Sequence, residues 1–554
     1  MKITQDMYAA ATLQQRNAMA KFLSDKGMVE LCKAARALPP KEWSLDHPLV
    51  KAAGREWIKG LWKAGVTTGL NFNFYDLRGP AYFIFPVNTP FIQDIPKTGK
   101  VNAGVGTVAH WKATRNPNST FVYAGVQEGT RNALGTPDEF DFLATYKEIG
   151  MEGGETFTAQ WAGEGYTDNR ADEYFRNLAR VRLQEEMMTL WGNSGTATGN
   201  NGFVLAQPAT PNVAASGNTS SFTSTNLQVA VIAITAMGVN PGGQAGYNVP
   251  PTVAKGLTAV TLRTGVDGSQ LNVAGGISQV SNVSSVINVN SSTAVVANTT
   301  AQAGAVAYAW YWGTNAASAL GALKLGAITA WPSVTITGPV TSGTAQTANF
   351  AGSTVGYSYQ ATDFDGLGTY AFQFGQWVDM GGGTFTPLGN GMVKEVETDL
   401  QALWNLYQAQ PDAIWCSADV REALDQAIIF SQTGTNSYIF QYTRDQQGGL
   451  LGGFLVSAYK SKYSINPEGG AAIPIRLHPM FPPGTMWYDL KTNPYPNSRV
   501  PAVRSFMLQR DYYSIEWPVT TRQWTFGTYI HEVLAHYMPW ITSIRTGIGP
   551  FVAP

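Results

Sequence analysis

The stretch Asp168–Gly192 reads DNRADEYFRNLARVRLQEEMMTLWG and carries the strongest helix signal in the 554-residue chain. Its apolar residues recur at steps of three and four, which places them on one face of a helix. Asp168 or Asn169 can cap the start of the helix, and Gly192 can end it. We therefore predict a long helix whose apolar stripe lies in a core and whose other face, with Arg182, is exposed. The stripe consists of Tyr174, Leu178, Val181, Leu183, Met187, Met188 and Trp191.

Downstream of this helix lies a long segment with almost no charge. Residues 206–361 contain four charged side chains and are rich in Val, Ile, Thr, Ser, Asn and Gly. This composition fits either a low-complexity linker or a β-domain with a hydroxyl-rich surface, and alternating runs between turn-forming residues favour the β-domain. The predicted strands are Leu227–Thr235, Leu257–Thr264, Val280–Val289, Thr293–Ala297, Ala305–Trp312, Ala327–Ala330 and Ser333–Thr337.

One of these strands predicts the core of the segment. In residues 306–312 the rings of Tyr308, Trp310 and Trp312 alternate with smaller residues, so they share one face of the strand. Seven short strands around such a core predict an all-β immunoglobulin-like sandwich without the usual disulfide, inserted at 206–361.

The chain before the helix divides into an arm and a loop. Residues 1–65 carry 11 Lys and Arg against 6 Asp and Glu, which fits either a solvated amphipathic arm or an arm that faces a polyanion. From Thr107 to Trp161 the pattern predicts paired strands, with Phe121–Tyr123 and Glu155–Trp161 among them. This loop has little core of its own, so we expect its stability to come from packing on something else, such as another chain.

Overall composition restricts the function. With 37 Lys and Arg against 38 Asp and Glu the net charge is -1, so any binding of nucleic acid must be local. Cys32 and Cys416 are too few for a disulfide framework, and the chain shows neither a secretory signal nor an apolar run that could span a membrane. We expect a protein that folds in a reducing cytoplasm without a membrane.

Catalytic motifs are weak. His531 and His536 are separated by five positions, whereas a metalloprotease helix needs its two histidines four apart to reach one zinc ion. The chain contains neither a phosphate-binding loop nor a Gly-x-Ser-x-Gly elbow, and Cys416 lies in an apolar run typical of a buried residue. We therefore predict no enzymatic activity, no metal site and no cofactor.

The parts that flank the insert resemble the major capsid protein of tailed double-stranded DNA bacteriophages, the Hong Kong-type capsid fold. The likeness lies in the order of an arm, a short Pro-rich segment, a hairpin loop, a long helix and, after the insert, a resumed core. A helical block at Val396–Ala409, stopped by Pro411, belongs to that core. The matching stretches are Pro86–Pro96, Leu190–Gly195, Gly202–Phe203, Asp363–Leu367, Ala413–Ser417, Arg421–Leu424, Gly453–Ser457, Pro482–Met486, Asp511–Trp517, Thr521–Arg522, Phe526–Tyr529, Pro539 and Ile541–Ile544.

This resemblance implies an α+β fold with an axial domain, a peripheral domain that carries the long spine helix, an extended loop and an N-terminal arm. The implied segments are the arm 1–65, a strand segment 66–106, the extended loop 107–166, the spine helix and peripheral domain 167–205, the insert 206–361, peripheral domain 362–394, axial domain 395–480, and C-terminal peripheral and axial strands 481–554.

The function implied is structural. Copies of the chain would associate as hexamers and pentamers into an icosahedral viral capsid around double-stranded DNA, with portal, scaffold or decoration proteins as further partners and assembly in the host cytoplasm. Two alternatives stay open: an encapsulin-type compartment, which shares the fold, and a surface adhesin, which only the insert suggests and the missing signal peptide opposes.

Five loop residues are the candidate assembly contacts. Lys147 also invites comparison with shells that form Lys–Asn cross-links, but no aligned Asn and Glu complete such a site, and we assign no cross-linking residue. The candidates are Trp111, Glu128, Arg131, Lys147 and Trp161.

Overall fold

The computed structural model is a mixed α+β protein, as predicted. The predicted arm 1–65 and most of the strand segment 66–106 lie outside the described residues, as do Leu257–Ala259 and Gly453–Phe454 within predicted stretches. The structure describes residues 89–98, 106–163, 168–197, 199–217, 219–239, 260–264, 270–273, 276–314, 323–340, 358–430, 455–463, 472–494, 500 and 502–552.

The described helices are α1 Pro90–Asp94, α2 Phe157–Gly163, α3 Asn169–Trp191, α4 Ala236–Val239, α5 Leu367–Phe374, α6 Lys394–Tyr407 and α7 Ala418–Phe430, with a 3-10 turn at Pro539–Ile541. The described strands are β1 Lys97–Thr98, β2 Val108–Asn116, β3 Asp138–Thr145, β4 Lys147–Thr156, β5 Asn212–Ser216, β6 Thr225–Ile234, β7 Val260–Thr264, β8 Gln270–Val273, β9 Ile287–Val289, β10 Ala294–Asn298, β11 Ala307–Thr314, β12 Lys324–Thr329, β13 Ser333–Ile336, β14 Gln376–Asp379, β15 Pro387–Gly389, β16 Met392–Val393, β17 Ala413–Cys416, β18 Ala458–Lys460, β19 Ala472–Leu477, β20 Met486–Asp489, β21 Arg504–Glu516, β22 Gln523–His536 and β23 Ser543–Thr546.

The predicted long helix is α3, and its boundaries are confirmed. Asp168 caps it, because its Oδ1 accepts the N–H of Ala171 over 3.2 Å. The predicted stripe is buried, except that Met188 is half-buried. The prediction for Arg182 is wrong: its side chain is 3% exposed and donates to Thr89 Oγ1 over 3.2 Å. The chain around Thr89 covers this second face, so the helix is buried on more than one side.

The predicted strand Glu155–Trp161 is confirmed for Glu155 and Thr156 and is wrong from Phe157 onward. Strand β4 ends at Thr156, and helix α2 begins at the next residue. The cause is local, since Thr156 Oγ1 accepts the N–H of Ala159 over 3.3 Å, as helix-capping threonines do. Phe121–Tyr123 is likewise irregular rather than a strand.

Contacts divide the chain into two compact units. The first contains Tyr146–Glu186, Phe506–Val533 and the described part of Met1–Thr107; the second contains Val108–Thr145, Met187–Ser505 and Leu534–Pro554. In the first unit a sheet of order β1-β21-β22-β4 packs against α3. Tyr174 of the helix stacks on Phe526 of β22 with ring centroids 3.7 Å apart.

The second unit contains a six-stranded sheet of order β14-β23-β20-β17-β19-β18. Helices α6 and α7 bury Leu400, Leu403 and Leu424 in the same cluster as Ile414 of β17. Helix α6 matches the predicted block at Val396–Ala409, although it begins and ends two residues earlier. It ends where Gln408 adopts a left-handed conformation, with φ +52°.

The predicted insert, residues 206–361, belongs to the second unit, and its described residues form two larger sheets, of order β13-β10-β5 and β12-β11-β6-β9. As predicted, Tyr308, Trp310 and Trp312 share one face of β11 and pack in the cluster that both sheets contribute to. The sequence did not predict strand β5, because apolar and polar residues do not alternate in Asn212–Ser216. Strands β7 and β8 form a separate hairpin. The predicted strand at 257–264 is confirmed from Val260 onward, where it is β7.

The predicted strand Val280–Val289 is wrong over most of its length, because only Ile287–Val289 is a strand. Residues 278–286 form three successive tripeptides, Ser-Gln-Val, Ser-Asn-Val and Ser-Ser-Val. A repeat of three cannot alternate between the two faces of a sheet, which requires a repeat of two. We name residues 278–286 the Ser-x-Val strap.

Candidate assembly interface

The root of the hairpin loop, strands β2 and β3, is fixed to its own chain. The strands pair antiparallel from Val108 opposite Thr145 to Asn116 opposite Asp138. Phe142 packs against Trp111 with ring centroids 5.7 Å apart, and Phe140 packs on Trp540 at 4.8 Å. These aromatic contacts anchor the hairpin on the second unit.

In the loop tip, residues 117–137, two asparagine side chains form hydrogen bonds with the backbone of the tip itself. Asn118 Oδ1 accepts the N–H of Val122, and its Nδ2 donates to the carbonyl of the same residue, both over 3.0 Å. Asn132 Nδ2 donates to the Tyr123 carbonyl over 2.7 Å. Side chain–backbone bonds of this kind hold the shape of the tip without a core.

Four large apolar side chains of the loop tip are exposed, and three of them, Phe121, Tyr123 and Leu134, are almost uncovered. Phe121 is 82% exposed, Tyr123 is 77% exposed and Leu134 is 92% exposed. A group of exposed large apolar residues on an ordered element is typical of a surface that binds another macromolecule. The sequence signal for these residues was present, because they lie among turn-forming residues without the alternation that would bury them.

The five predicted contact residues occupy different environments. Trp111 lies in the hairpin root and is 4% exposed, so its ring is covered by its own chain. Glu128 and Arg131 are exposed on the loop tip. In the first unit, Lys147 is half-buried at the start of β4, and Trp161 of α2 is 63% exposed. The tip therefore brings together only Glu128 and Arg131 of the five.

Buried charges connect three segments of the first unit. The Glu186 carboxylate accepts the N–H groups of Phe91 and Ile92 over 3.0 and 2.9 Å. Lys97 Nζ lies 3.2 Å from Glu185 Oε1 and 3.1 Å from Glu532 Oε2, and both glutamate side chains are fully buried. Because a buried charge that loses its partner is costly, these pairs fix β1, α3 and β22 to one another.

Lys97 also has an aromatic neighbour. Its Nζ lies 4.5 Å from the centre of the Tyr512 ring, and the Tyr512 hydroxyl donates to Glu185. The ring face and the two carboxylates together surround the ammonium group.

The two histidines of the C-terminal motif serve separate structural contacts. His531 Nε2 lies 2.7 Å from the Tyr513 hydroxyl and 3.3 Å from Glu148 Oε1. His536 is buried, and its Nδ1 accepts the N–H of Met538 over 3.2 Å. Burial, reinforced by the Arg504 guanidinium, lowers the pKa of His536 to about 3, so its ring is neutral near pH 7.

The described residues also offer neither a cluster of metal ligands nor a reactive thiol. Within the part of the chain that the structure describes, no three His, Cys, Asp or Glu residues are placed to hold a metal ion. Burial raises the pKa of the Cys416 thiol to about 12, which suppresses the reactive thiolate near pH 7. None of the described helices is long and apolar enough to cross a bilayer.

The insert is joined to the core at a clamp formed by Asn193 and Asp365. Asn193 Nδ2 donates to the carbonyls of Phe203, before the insert, and Ser358, near its end, over 2.9 and 3.2 Å. Asp365 accepts the N–H groups of Ser194 and Asn201 over 2.9 and 2.8 Å. The clamp therefore holds together the two places where the chain leaves and rejoins the core.

The insert also contacts the core away from the clamp. Gly382 has φ +87°, and a Cβ built there would lie 2.9 Å from the Trp331 ring of the insert, so glycine permits this close approach. An open apolar cavity of about 240 Å³ beside it is lined by residues that include Val306, Ile328 and Pro483. None of the described residues that line it is ionisable.

No protein-family model and no curated protein matches the chain. Among solved structures, the capsid of the native GTA particle computed with C5 symmetry matches over 88% of this chain and 97% of that chain, at 6% identity and a TM-score of 0.35. The capsid asymmetric unit of cyanophage A-1(L) matches over 85% and 95%, at 9% identity and a TM-score of 0.38. The holo-SrpI encapsulin complex from Synechococcus elongatus PCC 7942 matches over 32% and 56%, at 10% identity and a TM-score of 0.20.

Proposed function

We propose that this chain is a major capsid protein, a structural protein without enzymatic activity, whose copies form an icosahedral shell around double-stranded DNA. The observation that carries the proposal is the contrast between the hairpin root and the loop tip. The root is packed into its own chain through Trp111 and Phe142, whereas the ordered tip leaves Phe121 and Leu134 uncovered. Packing the tip against another copy would bury that surface and stabilise both.

Such a contact is heterologous, because the tip of one copy meets a different surface of the next. Repeated around an axis, a heterologous contact closes into a ring, which is the geometry that hexamers and pentamers need. In the first unit, Trp161 and Trp517 are further exposed aromatic residues that fit this role, at 63% and 40% exposure. The order of motifs in the sequence supports the same arrangement.

We assign the packaged DNA to the side of the basic arm, residues 1–65. The excess of Lys and Arg in this arm supplies the local positive charge that contact with a polyphosphate requires, although the whole chain is nearly neutral. The shell would assemble in the host cytoplasm and become the virion capsid, with portal, scaffold or decoration proteins as additional partners.

The insert would form an immunoglobulin-like domain displayed on the outer surface. Its two sheets, of three and four strands, and their shared core around Trp310 support this assignment. Its scarcity of charged residues suits a surface that binds through hydroxyl and amide groups.

Electron microscopy and nuclease treatment of particles purified from the natural producer test the proposal. We expect uniform icosahedral shells that contain DNA protected from nuclease. Shells that hold a protein cargo without DNA would favour the encapsulin alternative. A chain that forms no particles in its natural producer would contradict both functions and return attention to the adhesin.

A further inference from the structure

Strand β6 is the longest of the described strands of the insert, and an open edge along it would favour association with another strand. It runs over ten residues, and all but its first two are buried. One of its edges pairs with β11, whereas the other pairs with β9 only at Thr225–Leu227. An open apolar edge of this length is a template for pairing with a strand of another molecule.

The Ser-x-Val strap lies along that second edge and satisfies it by an unusual pattern. The N–H of Ser281 donates to the carbonyl of Val231 over 2.9 Å, and Ser281 Oγ accepts the N–H of Val231, also over 2.9 Å. Ser278 makes the same two bonds with Ala233, over 2.8 and 3.0 Å. Ser284 makes the same two bonds with Val229, over 2.8 and 3.0 Å.

Each serine hydroxyl is used twice. Besides accepting from β6, the Oγ of Ser278 donates to the carbonyl of Gln279 over 2.8 Å, and Ser281 donates to that of Asn282 over 3.0 Å. Ser284 donates in the same way to Ser285 over 3.0 Å. The hydroxyl thus replaces the main-chain carbonyl that a neighbouring strand would present to β6, and it occupies a carbonyl of the strap as well.

The strap advances three residues for every two residues of β6. Its serines face the strand edge, while Val280 is buried with Ile232 and Ile277 on the outer face of the sheet. A true strand exposes N–H and C=O groups at a repeat of two, which a further strand can match. The strap has a repeat of three, so its outer side does not continue the sheet.

We infer that the Ser-x-Val strap is a device that closes the edge of β6 and excludes a β-strand of a second copy of this chain. The other outer strands of the two sheets are protected by simpler means: β13, β5 and β9 are short, and the pairing of β12 with β11 contains an irregularity between Trp310 and Tyr311. Among the described strands of these two sheets, the long edge of β6 is the one that needs a separate cover. This inference does not depend on the proposed function.

The test is the full-length triple variant Ser278→Ala, Ser281→Ala, Ser284→Ala, with Ser285→Ala as the matched control. Ser285 is an exposed serine of the same strap. Hydrogen exchange is measured on peptides covering β6, with all proteins in the same unassembled state. We expect the amides of Val229, Val231 and Ala233 to exchange at least about tenfold faster in the triple variant, because each loses its acceptor.

Light scattering on the same samples measures the exclusion of a second copy. We expect the triple variant to associate at concentrations where wild type and Ser285→Ala do not. Unchanged exchange at the three amides, or faster exchange without association, would overturn the inference. If the triple variant does not fold, the single variant Ser281→Ala tests the same point at Val231, where unchanged exchange would also overturn it.

Discussion

The indole Nε1 of Trp111 donates a hydrogen bond over 3.1 Å to the main-chain oxygen of His536. This bond joins the first strand of the hairpin root to the last residues of β22, 425 positions later in the chain. Trp111, which the sequence suggests as a contact between chains, is therefore an internal anchor, and the loop tip is the surface that we propose for assembly.

We expect Trp111→Ala to lower the free energy of unfolding by about 3–5 kcal/mol, because it removes a buried ring and leaves a cavity. Denaturant unfolding measures this change. The control is His110→Ala, on the exposed face of the same strand, which should stay within about 0.5 kcal/mol of wild type. Equal effects of the two variants would contradict the assignment of Trp111 as an anchor.

We expect the double variant Phe121→Ser, Leu134→Ser to fold with nearly unchanged stability but to lose shell formation. Both side chains are exposed in the single chain, so their loss should weaken binding to a partner and leave the fold nearly unchanged. Denaturant unfolding and electron microscopy separate the two properties. Gln127→Ala, also exposed on the loop tip, should assemble normally. Normal shells from the double variant would remove the loop tip from the interface.

Glu128 and Arg131 remain predicted assembly residues, and charge-neutralising variants test them separately. We expect Glu128→Gln and Arg131→Gln to slow shell formation at low salt and to converge on wild type at high salt, because salt screens exposed charges. Time-resolved light scattering at two salt concentrations measures this. Kinetics identical to wild type at both concentrations would show that neither charge contributes.

We expect Lys97→Met to lower the free energy of unfolding by about 3–5 kcal/mol, since it leaves Glu185 and Glu532 buried without this cation. Lys112→Met is the control, because Lys112 is 63% exposed beside Asp141 and its pair should contribute at most about 1 kcal/mol. Urea unfolding compares the two. A tolerated Lys97→Met would mean that the network does not fix the first unit.

The stability of the protein should depend on His536 under mildly acidic conditions. The pKa of this histidine is about 3 in the folded protein and about 6.5 when unfolded, so unfolding takes up a proton between these values. The neutral ring contributes fully to the free energy of unfolding above about pH 6.5. As the pH falls below that value, the free energy of unfolding decreases by up to about 1.4 kcal/mol per pH unit. His536→Gln should flatten this slope, whereas His110→Gln should retain it. A slope unchanged by His536→Gln would contradict the buried neutral ring.

The sequence predicted those parts of the fold that follow from regular periodicity. Helix α3 has a cap at Asp168, a stripe at helical spacing and a terminating Gly192, so local rules specified both of its ends. Strand β11 was equally clear from the alternation of Tyr308, Trp310 and Trp312. Each of these patterns depends on residues close together in the chain.

The features that sequence reasoning missed depend on distant partners or on an uncommon period. Arg182 is polar, yet Thr89, 93 positions away, supplies a partner that allows its burial. Ser278, Ser281 and Ser284 lie among valines that suggest a strand, and only the edge of β6 explains their spacing by three. The exposed Phe121 and Leu134 could have been found from their turn-rich surroundings, although nothing nearby specifies what covers them.

The clamp at Asn193 and Asp365 has a consequence for how the chain can change over evolution. The Leu205 N–H donates to Ser358 Oγ over 3.0 Å, so the two ends of the insert already meet across one hydrogen bond. For the rest of the chain, the insert behaves as a loop with fixed ends, and the entropy of closing such a loop grows only logarithmically with its length. A domain at this position can therefore be lengthened, shortened or exchanged during descent with little penalty to the remaining fold, provided that the replacement also covers the surface around Gly382.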